Sequence, residues 1–143
     1  MVAYYTNEGA FDLPGIGFED RTVNVFEADL RGNDKLGFIV CRTKMPEGKS
    51  LRDMVVAHVT HEAKRLRGYA ILDDKDATWA GVPAIDISSR WRHEGQALYQ
   101  RQAHLVASGL WILFGMTAPL EDRSTCDDAL LHVLSSFRLH EQG

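Results

Sequence analysis

Residues 84–93 and 96–107 are two long runs of strand-forming sequence with only Glu94-Gly95 between them. A two-residue connection closes as an antiparallel hairpin, and Gly95 supplies the positive φ that such a loop needs. The loop length also sets the register. Trp91 faces Leu98, Ser89 faces Gln100, Ile87 faces Gln102 and Ile85 faces His104, all on one face. Asp86, Ser88, Arg90, Tyr99, Arg101 and Ala103 fall on the other, because side chains alternate along a strand. A chain built around this hairpin has an antiparallel sheet at its centre.

The remaining segments arrange themselves around it. Residues 10–13 alternate and stop at Pro14-Gly15, which predicts a short strand and a turn. Residues 22–26 and 36–41 read as a second hairpin about the polar turn 31–34. Residues 69–72 and 77–79 form either a strand pair or one bent strand. Residues 110–116 are almost continuously apolar, as expected of a strand covered on both sides. One helix is predicted over 51–67. Ser50 caps it with Asp53 three residues on, Lys64, Arg65 and Arg67 fill its last turn, and Gly68 stops it. Leu51, Val55, Val59, Ala63 and Leu66 make its apolar stripe, with His58 and Glu62 beside it. A second helix opens at Ser124 with Asp127 and buries Ala129, Leu130, Val133, Leu134 and Phe137. The order is strands, helix, several strands, helix. It predicts an α+β fold, mainly antiparallel, with helices packed on the sheet rather than a doubly wound one. At 143 residues, with no repeat or linker, residues 1–143 form one domain.

Composition narrows the function. The net charge of −4 excludes a bulk polyanion binder unless basic groups gather on one face. Arg90, Arg92, His93 and Arg101 with Trp91 and Tyr99 are the candidates, and they read as a solvated strand face over core aromatics, so no nucleic-acid partner is expected. No run approaches ~20 apolar residues, so no membrane span is expected. The N-terminus lacks the features of a signal peptide, which predicts a cytoplasmic chain with Cys41 and Cys126 as free thiols. The serines sit in no nucleophile elbow, and Gly15-Ile16-Gly17 lacks the third glycine of a phosphate loop. His58, His61 and Glu62 have a different spacing from the zinc-binding His-Glu-x-x-His helix. The expectation is a protein without catalytic residue, metal or cofactor. A small metal-dependent enzyme on those three residues is the alternative.

One face of the central hairpin fits neither a closed core nor a solvated surface. Ile85, Ile87, Ser89 and Trp91 with Leu98, Gln100, Gln102 and His104 mix apolar with amide and imidazole groups. Such a face suits a groove that binds something apolar with a few hydrogen bonds. It equally suits a face whose apolar end is covered by a helix and whose polar end reaches water.

Several motifs in order carry a family resemblance. They are Asn7-Glu8-Gly9-x-Phe11-x-Leu13-Pro14, Asp20-Arg21-Thr22-Val23-Asn24-Val25-Phe26, Cys41-Arg42 at the end of the strand before the helix, and Leu66-x-Gly68-Tyr69 at the helix's end. Trp91-x-x-x-Gly95, Tyr99-Gln100-Arg101-Gln102 and Ser135-Ser136-Phe137-Arg138 complete the set. Over essentially the whole chain this pattern resembles the DcrB-like family, and within it the Eag proteins, the effector-associated chaperones of bacterial type VI secretion. The resemblance implies a Mog1/PsbP-like fold. It also implies a cytoplasmic holdase, commonly a homodimer, that is not itself inserted in a membrane. Such a protein shields the N-terminal transmembrane helices of a PAAR- or Rhs-type effector and helps load it onto the VgrG spike. An envelope protein like DcrB itself is the other reading the resemblance leaves.

Carried over by position, the resemblance implies a helix-binding groove lined by Val23, Val25, Ile39, Leu66, Leu98 and Gln102, with Cys41, His58 and Glu62. Three of these depart from the family. His58 stands where a glutamine is common, Glu62 where a small residue is common, and Cys41 where a serine is common.

Overall fold

The computed structural model describes residues 2–5, 10–13 and 23–139. The turn at Pro14-Gly15, the glycine pair and the Asp20-Arg21-Thr22 motif lie outside the described residues. Two short strands, β1 (Val2–Tyr5) and β2 (Ala10–Leu13), pair antiparallel as a separate ribbon.

The main sheet has six strands: β3 (Val23–Asp29), β4 (Lys35–Lys44), β5 (Ala70–Trp79), β6 (Val82–His93), β7 (Gln96–Ala107) and β8 (Leu110–Pro119). Their order is β3-β4-β8-β7-β6-β5, with every pair antiparallel. Helix α1 (Leu51–Arg65) follows β4, and α2 (Arg123–Ser136) follows β8 through the short turn of 3-10 helix Leu120–Asp122. The expected α+β architecture is what the chain adopts.

Three two-residue loops join β5 to β8 in succession. Ala80-Gly81, Glu94-Gly95 and Ser108-Gly109 each have positive φ at both positions, the signature of the type I′ turn whose twist matches the strands it joins. The β6–β7 register is the expected one, from Trp91 opposite Leu98 to Ile85 opposite His104. Residues 69–72 and 77–79 resolve into one bent strand, β5, with a bulge between Ile71 and Asp73. β8 sits inside the sheet, and its residues 112–116 are all buried.

The two helices cover opposite faces. On one, Cys126, Leu130 and Leu134 of α2 pack on Tyr99, Ala103, Leu105, Phe114 and Met116, closing the main core. On the other, Val55 of α1 packs on Ile85 and Ile87, with Leu51 and Val59 at the margin. The Ser50–Asp53 capping box is present: Asp53 N–H donates to Ser50 Oγ (3.1 Å) and Ser50 N–H to Asp53 Oδ2 (2.9 Å).

Three helix details differ from expectation. α1 ends at Arg65, with Leu66 already extended, so Arg67 lies past the last turn. Ala63 is exposed while His58 and Glu62 turn inward, so the helix buries a more polar side than its apolar spacing suggested. α2 starts at Arg123, running straight on from the 3-10 turn, and Ser124 is not its cap.

Candidate functional site

Among the described residues the α1 face of the sheet is only half covered. α1 lies over β6 and β7, while β3 and β4 extend beyond it as an open wing. Register shows which side chains share this face. One row runs Val25, Ile39, Gly115, Gln102, Ile87, and the next runs Val23, Cys41, Leu113, His104, Ile85. Each row passes from apolar residues on the wing to one polar residue, Gln102 or His104, and ends on an isoleucine packed with Val55 of α1. On the wing Val23 and Val25 are 54% and 66% exposed, a large apolar investment for one edge strand.

Gly115 is buried between Ile39 and Gln102 in the first row. A Cβ there would stand 3.1 Å from Ile39 Cγ1 and 3.3 Å from Gln100 Nε2, so the neighbouring side chains close over the space a larger residue would occupy. Beside it, a pocket of about 170 Å³ is lined by Cys41, Thr43, His58, Trp111 and Leu113. Trp111 also borders a wider depression of about 630 Å³ with Met45, Pro46 and Met54. Arg92 N–H donates to Arg67 O (2.8 Å), tying the end of α1 to β6 near the hairpin tip. Leu66 and Leu98 therefore lie toward that end, and the two methionines toward the other.

Beneath α1 runs a directional hydrogen-bond network. Trp111 Nε1–H donates to His104 Nδ1 (3.1 Å). An indole can only donate, so His104 carries its proton on Nε2, which donates to Gln102 Oε1 (2.9 Å). The Gln102 amide donates to Gln100 Oε1 (2.8 Å) and to His58 Nε2 (3.2 Å), and Gln100 donates to Thr117 Oγ1 (3.0 Å). The rings of His104 and Trp111 stack at 5.8 Å, and His58 meets both edge-on. Burial, with His58 and then Arg52 adding to it, pushes the His104 pKa down to about 3. Burial also lowers that of His58, partly offset by Glu62. Both imidazoles are neutral near pH 7. Among the described residues no buried side-chain nitrogen or oxygen lacks a partner.

All nine residues expected to line the groove fall on this side of the molecule. Val23, Val25, Ile39, Cys41, Leu98 and Gln102 share the sheet face, and His58, Glu62 and Leu66 are the half-buried residues of α1 and its cap. Sequence reasoning missed Trp111, Leu113 and Gly115. The Ser108-Gly109 dipeptide is the signal that would have placed them, because the logic applied to Glu94-Gly95 pairs β8 with β7 residue by residue.

The alternative sites do not assemble. Among the described residues His58, His61 and Glu62 do not converge as a set of ligands, and His61 is exposed where the other two are half-buried. Arg101, a member of the basic cluster, is held by Asp86 (3.4 Å) and Asp127 (3.6 Å) on the α2 face. Among the described residues the three acidic groups that do converge are Asp34, Glu121 and Asp122, and Arg31 pairs with the last two.

The fold and site define an antiparallel-sheet protein with one closed helical face and one half-open groove. The DcrB family profile matches residues 8–136, and the chain belongs to that family. No curated protein matches its sequence significantly. Among solved structures it is similar to PA94 of Pseudomonas aeruginosa, a protein of unknown function, at 19% identity and TM-score 0.77 over 99% of both chains. It is also similar to LpqN of Mycobacterium tuberculosis, involved in cell envelope biogenesis, at 15% identity and TM-score 0.56 over 86% of this chain and 85% of that one. The third likeness is to the cyanobacterial PsbP, CyanoP, of Synechocystis, at 12% identity and TM-score 0.59 over 91% of this chain and 98% of that one. At these identities the likeness establishes the fold. Among the described residues no helix is long and apolar enough to cross a membrane.

Proposed function

We propose that this DcrB-family chain is an effector-associated chaperone of type VI secretion. It works in the cytoplasm as a homodimer, holds the N-terminal transmembrane helices of a PAAR- or Rhs-type effector, and assists loading onto the VgrG spike. The observation that carries this reading is the half-open groove, an apolar wing beside a helix with a self-satisfied polar network beneath it. A transmembrane helix satisfies its own backbone, so it offers a receptor apolar ridges and small polar side chains. Docking such a helix removes water from the groove. That step leaves few donors stranded here, because Trp111, His104, Gln102 and Gln100 already bond to one another. The scale also fits. The 15 residues of α1 span about 22 Å, and a ten-residue strand such as β4 about 33 Å, against the ~30 Å of a membrane core.

The test is co-expression with the N-terminal hydrophobic fragment of a PAAR- or Rhs-type effector. The expected result is a soluble complex. Leu66→Arg or Leu98→Arg places an unpaired charge in the groove, and should abolish capture while circular dichroism stays native. A fragment that precipitates equally with and without this protein overturns the reading.

A further inference from the structure

Glu62 is the groove residue that a purely apolar occupant leaves unexplained. Its carboxylate lies on the inward side of α1, one turn from His58, with 13% of the side chain exposed. Oε2 is held by Arg65 at 2.7 Å. Oε1 lies 3.9 Å from His58 Nε2, beyond hydrogen-bond reach, and that nitrogen already accepts from Gln102. A carboxylate oxygen has capacity for further donors, and covering it with hydrocarbon alone is costly. The groove thus contrasts two kinds of polar group. The amides and imidazoles of the floor are matched internally, while among the described residues the Glu62 carboxylate is hydrogen-bonded by Arg65 alone, through Oε2.

Resting on the helix-holding reading above, we propose that Glu62 selects the helix the groove accepts. The preferred occupant carries a hydroxyl or amide side chain that donates to Glu62 Oε1. The donor is neutral because Arg65 already balances the carboxylate, so a cationic side chain would meet the Arg65 guanidinium as well. Hydrogen bonds to a charged acceptor in a dehydrated site are strong enough to discriminate between helices that are otherwise equally apolar. Apolar fit then decides that a membrane helix is held, and Glu62 decides which one.

The test uses the intact protein and labelled peptides of about 20 leucine and alanine residues with lysine flanks. One peptide is wholly apolar. Four others carry a single asparagine at successive central positions, so that one of them meets Glu62 whatever the register. The best asparagine peptide should bind about tenfold tighter than the apolar parent. Glu62→Ala should erase that preference, so that the parent and every asparagine peptide bind the variant with equal affinity. Circular dichroism checks that the variant is folded. Equal affinity for the parent and all four asparagine peptides overturns the selection while leaving the holdase reading standing. A preference that survives Glu62→Ala overturns it too, since the donor then meets another group. If no peptide is held, the groove reading falls and this inference with it.

Discussion

The two faces of the central sheet are built from the same strands and have opposite characters. On the α2 face Leu130 and Cys126 are fully buried, Phe38 stacks on Phe114 at 6.4 Å, and Phe137 meets Phe114 edge-on at 5.0 Å. Its polar groups sit at one end, where Tyr99 O–H donates to Asp127 (2.6 Å) and Trp79 N–H to Asp86 (3.0 Å). On the α1 face only Val55, Ile85 and Ile87 form a closed apolar cluster. The remainder is a polar network under the helix and exposed valines beyond it. One face thus holds the fold together, and the other carries apolar groups that are not committed to the core among the described residues.

The largest effect that tests this contrast is on stability. Leu130→Ala should cost about 2–5 kcal/mol in chemical denaturation, since it opens a cavity in a fully packed layer. A loss under 1 kcal/mol would mean the α2 face is as loosely packed as the groove.

The second effect separates the faces by pH. His104 protonates at about 3 in the fold and near 6.5 in the unfolded chain. Between those values the unfolded chain binds the extra proton, so stability falls as pH drops below about 6.5, by ~1.4 kcal/mol per pH unit at most. Between pH 7 and 5 the unaltered protein should lose roughly 2 kcal/mol more than His104→Gln, read from urea midpoints at each pH. Equal losses would mean that the imidazole charges within the fold and that the network is wet.

The smallest effect on the fold should come from the wing. Val25→Ser, at a position 66% exposed, should change stability by less than about 0.5 kcal/mol. The same substitution should weaken capture of an apolar helix by roughly tenfold, the contribution of one buried valine. A stability loss without a capture loss would assign Val25 to the core and reverse the contrast.

Much of the fold was legible in the sequence because turn chemistry fixes register. Glu94-Gly95 places every β6 and β7 side chain on its face, and those include Gln102 and His104. The site was legible only in part. Leu113 reads as one more core residue of an apolar strand until β8 is known to lie between β4 and β7. The apolar spacing of α1 pointed to Ala63, but the buried side includes Glu62. His58 is held there by Gln102 of the polar floor and Glu62 by Arg65 of its own helix, bonds that hydropathy alone does not register. The end of α1 and the start of α2 were least legible. There the 3-10 turn at Leu120–Asp122 and the extended Leu66 follow from how the chain leaves the sheet rather than from local propensity.

The three successive two-residue loops bear on the order of assembly. Strands β5 to β8 are neighbours in sequence and in space, so their pairing closes only short loops and carries little entropic cost. The pairing of β4 with β8 brings Ile39 to Gly115 across the whole of α1 and three strands. That join is the slow, long-range step, and the apolar wing is on its far side. A nascent chain in which β5 to β8 have already formed has the polar floor and no groove. If the chain holds a hydrophobic helix as proposed, that capacity arrives with the last part of the sheet to close.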